Sequence, residues 1–80
     1  MLARPSLQVR LDTLRYAMMA HLRKPPAGFE EVVRGHFKVL RSVLLARMGK
    51  WLEEAAEVDA AMYQRMVAAC RELKDVVAAL

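Results

Sequence analysis

The 80-residue chain has no isoleucine, one threonine, three glycines, three prolines, five aromatic residues and a single cysteine. Each scarcity excludes something. Apart from that threonine, the β-branched residues are nine valines, and so few Gly and Pro leave a β-sandwich or barrel without the hairpin turns it requires. One cysteine, Cys70, cannot form an internal disulfide, which points to a reducing compartment, cytosol or nucleus. That thiol and two distant histidines, His21 and His36, are a poor metal set. No apolar run approaches the ~20 residues of a membrane span, because a charged side chain interrupts every stretch. The first residues, Met1 to Ser6, lack the apolar core of a secretory signal. There is no Gly-rich phosphate loop, no strand-end carboxylate pair and no Ser-His-Asp set, so no catalytic residue, metal or cofactor is expected.

What is present favours helix: 13 Ala, 11 Leu and 6 Met supply much of a 56% hydrophobic content. The length suits one small domain over 1–80, and a domain of that size buries only ~60–65% of its unfolded surface. Its stability should therefore depend on additional burial against a partner or a second copy.

Helix boundaries follow from punctuation and period. Leu7, Leu11, Leu14, Met18 and Leu22 recur at spacings of three and four, which places them on one helical face, with Ser6 as N-cap. Pro25-Pro26 cannot continue that helix, but Pro26 can open the next. Phe29, Val33, Phe37, Leu40, Leu44, Met48 and Trp51 keep the same period onward, and Val58, Met62, Met66, Ala69, Leu73, Val76 and Leu80 form a third stripe. The expectation is an all-α, up-down-up arrangement of three helices over about 6–24, 27–54 and 58–79. Gly35 and Gly49 are the two places where the second helix could bend or break. Its apolar surface is wider than one stripe, since Val32, Val39, Val43 and Leu45 add to it, and a wide apolar surface wants more than one neighbour.

Charge is unevenly divided. Residues 1–50 carry 10 Lys+Arg and 3 acids, whereas residues 51–80 carry 3 Lys+Arg and 6 acids. On a continuous helix Arg34, Lys38 and Arg41 share one face, which could meet phosphate or an acidic protein surface or simply be solvated. Nucleic acid is the less favoured partner, because basic residues do not interleave with aromatics and no helix-turn-helix is legible. Cys70 has no activating His nearby in sequence and reads as a structural thiol. Met18, Met19, Met48, Met62 and Met66 could form an adaptable groove, but their helical spacing suits core.

One ordered set of residues resembles a known family. Leu14-Arg15-Tyr16-Ala17-Met18, Leu22-Arg23-Lys24-Pro25-Pro26, Phe29-Glu30-Glu31-Val32-Val33, Gly35-His36-Phe37 and Trp51-Leu52 follow the order found in the C-terminal helices of the large E2-type ubiquitin-conjugating enzymes. The resemblance covers residues 14–52 and, more loosely, 58–80. It implies a helical module, a fragment or truncated relative of a longer conjugating protein, in which Pro25-Pro26 makes the turn between terminal helices and Phe29, Val33 and Phe37 pack towards the rest of the fold; Leu40, Leu44 and Trp51 continue that stripe as candidate packing or docking residues. Arg34, Lys38 and Arg41 would then face outward. The chain departs from that family in having no Asn and no His-Pro pair, so the His-Pro-Asn tripeptide is missing, and Cys70 cannot inherit the ubiquitin-carrying role. The alternative is an independent helical interaction module that self-associates through the same apolar surface. A basic nucleic-acid-binding bundle ranks third.

Overall fold

The computed structural model describes residues 6–35 and 37–79, with Phe37 described by its backbone alone. The described residues are all-α: α1 (Leu7–Met19), α2 (Phe29–Gly35), a short 3-10 turn (Phe37–Val39), α3 (Leu40–Val58) and α4 (Ala60–Ala79). Four α-helices thus replace the three expected. Leu80, the end of the third apolar stripe, and His36 lie outside the described residues.

Ser6 begins α1 as expected, its hydroxyl oxygen accepting the Val9 N–H at 3.2 Å. The helix stops at Met19 rather than near residue 24. The residue before a proline is pushed out of the helical region, so Lys24 cannot be helical, and the chain needs several residues to reach it. The amides of Ala20 and Leu22 donate back to Tyr16 and Met18, each at 3.1 Å, and close the last turn.

The turn that follows uses both prolines and the glycine. The Pro26 carbonyl accepts the Phe29 N–H at 3.1 Å, and Gly28 sits at φ +83°, in the left-handed region that side chains other than glycine rarely adopt. α2 therefore starts at Phe29 and not at residue 27. Glu30 and Glu31 occupy its first turn and Arg34 its last, matching the helix dipole.

Of the two weak glycines, Gly35 ends α2, whereas α3 runs through Gly49 without interruption. The second long helix is consequently split into α2 and α3, joined through the 3-10 turn. At its other end α3 extends to Val58, past the expected 54, because Glu53-Glu54-Ala55-Ala56-Glu57 contains no breaker. Asp59 makes the joint. Its backbone is extended (φ −171°, ψ 168°), and its carboxylate accepts the Met62 N–H at 2.6 Å, capping α4.

With one residue between them, α3 and α4 fold back as an antiparallel helical hairpin, and α1 packs on α4. α2 bridges α1 and α3. The shared core holds Leu11, Leu14, Met18, Phe29, Val33, Leu44 and Leu73, all less than 2% exposed. Trp51 of α3 is 2% exposed and does two things: its ring tilts against Phe29 (centroids 6.2 Å apart, planes at 51°), and its indole N–H donates to the Ala27 carbonyl at 3.3 Å. At the far end of α1, His21 Nε2 lies 2.7 Å from the Glu72 carboxylate of α4. Arg15 pairs with Asp12 of its own helix at 3.3 Å and with Glu30 of α2.

Trp51→Ala should lower unfolding stability by about 3–5 kcal/mol through the lost ring, and Trp51→Phe, which keeps an aromatic but removes the N–H donor, by about 1–2 kcal/mol. Gly28→Ala should cost about 1 kcal/mol through strain at positive φ. Urea denaturation followed by circular dichroism measures all three.

Candidate interaction surface

The apolar residues expected to dock against something outside the chain lie inside it. Phe29, Val33, Leu40, Leu44 and Trp51 are each at most 5% exposed and belong to one continuous core with α1 and α4. The Phe37 side chain lies outside the described residues. A surface buried against its own chain cannot at the same time cover another domain.

The basic face also changes. Arg34, Lys38 and Arg41 are all exposed, but they stand on α2, the 3-10 turn and α3 respectively. Their spacings of four and three define one face only on a continuous helix, and the break after Gly35 removes that premise. Arg41 has different company, the C-terminal half of α4.

Between α3 and α4 runs a shallow groove. Near its Arg41 end a hollow of about 230 Å³ is lined by Leu44, Leu45, Met48, Lys74 and Val77. Further along, a second hollow of about 300 Å³ shares Leu45, Met48 and Lys74 and adds Leu52, Val67 and Arg71. The floor is apolar and the charged residues lining both hollows, Arg41, Arg71 and Lys74, are all cationic. Leu45 is 44% exposed, and Leu52, Val67 and Val77 are half-buried, so the groove keeps apolar surface in contact with water.

The sequence carried part of this signal. Leu45 belongs to the second apolar stripe that made the helix too wide for one neighbour. Arg71 and Lys74, three apart on α4, gave no signal, because their relation to Arg41 depends on how the hairpin closes. A larger hollow, about 750 Å³, opens beside the Pro25-Pro26 turn, between His21, Leu22, Met62 and Met66.

Nothing in this surface resembles a reaction centre. Among the described residues no group of three or more His, Cys, Asp or Glu is arranged to hold a metal ion, and His21 faces Glu72. Met18, Met48 and Met66 are core, Met62 is half-buried and Met19 is exposed, so the methionines do not form one groove. Among the same residues no helix is long and apolar enough to cross a membrane. Cys70 is 6% exposed at the groove floor. Burial pushes its thiol above the ordinary value, with the Lys74 ammonium pulling the other way. A raised pKa keeps the thiol protonated and a poor nucleophile near neutral pH. Comparison with protein-family models, curated proteins and solved structures finds no match.

Two outcomes follow for Cys70. The native chain should react slowly with a thiol reagent at neutral pH and rapidly once unfolded. The folded chain holds its thiol proton more tightly than the unfolded one, so stability is intact below the ordinary thiol pKa and falls as pH rises past it; Cys70→Ala should remove that part of the slope. Denaturant melts between neutral and alkaline pH read the difference.

Proposed function

We propose that the chain is a helical protein-interaction module whose working surface is the α3/α4 groove. The observation that carries this reading is the contrast between two apolar surfaces. Phe29, Val33, Leu40 and Leu44 are used up within the fold, whereas Leu45, Leu52, Val67 and Val77 line a groove open to water and edged by cations. An amphipathic helix laid into such a groove buries its apolar side on the floor and sets acidic residues against Arg41, Arg71 and Lys74. That is recognition by shape and charge, with no bond made or broken.

A role as the terminal module of an E2-type ubiquitin-conjugating protein needs Phe29, Val33, Leu40 and Leu44 to be available to a catalytic core. Their burial against α1 and α4 favours the self-contained module instead. An apolar floor also favours a protein over nucleic acid, whose binding is dominated by phosphate contacts.

The test is methyl NMR of the labelled chain during titration with a designed acidic amphipathic helical peptide. Shifts should concentrate on Leu45, Leu52, Val67 and Val77. No shifts, or shifts spread through Leu11, Leu14 and Leu73 of the core, would contradict the assignment. Leu45→Asp should abolish the peptide response while leaving the helical signal unchanged and the unfolding free energy within the small range of a surface substitution, about 0.5 kcal/mol.

A further inference from the structure

Because α1 unwinds after Met19, the part of α4 that a longer α1 would have covered is met instead by the non-helical segment leading into the Pro25-Pro26 turn. His21 Nε2 reaches the Glu72 carboxylate at 2.7 Å, and beyond that contact the turn and the first half of α4 border the hollow of about 750 Å³. A non-helical segment does not present side chains at the spacing that interlocks with the ridges of a helix, so the gap stays open. Its apolar walls are Leu22, Pro25, Pro26, Met62 and Met66, and it shares no residue with the α3/α4 groove.

The charge around this hollow has one sign. Arg23 and Lys24 come from the turn and Arg65 from α4, all three are exposed, and among the described residues no Asp or Glu lines the space. Among the same residues none of the three cations is ion-paired with an acid. His21, the remaining polar side chain of the lining, is already engaged by Glu72.

From this we infer that the hollow is a small-molecule site for an amphipathic anion, an alkyl chain ending in a carboxylate. The two methionines, unbranched and polarizable, adapt to a flexible chain, and the two proline rings add apolar wall. The head group meets Arg23, Lys24 and Arg65, whose guanidinium groups can each hold a carboxylate by two parallel hydrogen bonds. A small polar anion would leave the apolar walls in water, and an uncharged lipid would leave the cations unanswered. The volume lies within the ~300–1,000 Å³ usual for small-molecule sites. This site is independent of the groove and of its reading as a protein-docking surface.

The test is a titration of the full chain, carrying labelled methionine methyl groups, with decanoate below its micelle-forming concentration. The Met62 and Met66 signals should shift saturably, and decanol, with the same chain and no charge, should bind at least about fivefold more weakly. Arg65→Gln and Lys24→Gln should each weaken decanoate by about two- to fivefold and leave decanol unchanged, as expected for loss of one exposed ion pair. Lys50→Gln removes the same charge from an exposed position that lines none of the hollows and should change nothing. The three substituted residues are exposed, and circular dichroism verifies that each variant folds. Shifts that rise without saturating, or that fall on Met48 of the groove instead of Met62 and Met66, would overturn the site. Decanol binding as tightly as decanoate, or an equal loss in all three variants, would overturn the role of the three cations and with it the ligand class.

Discussion

The contact between Trp51 and the Pro25–Gly28 turn sets the rest of the structure. Two prolines and a glycine at positive φ reverse the chain, and the reversal is secured from a distance: the indole N–H of Trp51 holds the Ala27 carbonyl while the ring lies against Phe29. That single side chain ties the start of α2 to the middle of α3. With the turn fixed, α2 must lie across α1 and α3, and its Val32 and Val33 complete the core. Without it, Phe29 would lose the ring that closes it from solvent, and the short α2, seven residues long, has too little helix of its own to persist.

The second constraint is the joint at Asp59. One extended residue, whose carboxylate caps the following helix, joins two helices of 19 and 20 residues and obliges them to pack side by side. Side-by-side packing determines which faces remain. The faces of α3 and α4 that carry Leu44, Met48, Cys70 and Leu73 turn inward, and the residues one position round, Leu45, Arg71 and Lys74, are left along the edge where the two helices meet. The groove is thus a by-product of the hairpin, and its function follows from what the sequence put along that edge: leucine and valine below, cations above.

Much of this was legible in the residues. The all-α class, the Ser6 cap, the break at Pro25-Pro26 and the inward positions Leu11, Leu14, Phe29, Leu44 and Leu73 follow from periodicity and from the chemistry of proline and hydroxyl groups. The number of helices was not legible, because Gly35 and Gly49 have the same intrinsic cost and only tertiary packing decides which one yields. α3 crosses Gly49 with Met48 and Trp51 buried on either side, whereas α2 ends at Gly35, where the chain turns into the 3-10 segment. What covers the apolar stripe was not legible for a related reason. A wide apolar helix signals that more than one neighbour is needed but cannot say whether those neighbours belong to the same chain, and here α1 and α4 supply them. Likewise the relation of Arg41 to Lys74 is a property of the hairpin, invisible to any local pattern.

The described residues close their own core, with Trp51 inside it. The most direct measurement is the fluorescence of Trp51, the only tryptophan, recorded with far-ultraviolet circular dichroism during thermal unfolding of the dilute isolated chain. A closed core predicts blue-shifted emission in the native state and a single cooperative transition at which both signals change together. Emission typical of water-exposed indole, with a broad, non-coincident melt, would mean that the Phe29–Leu44 stripe is open and that the chain needs a partner to fold.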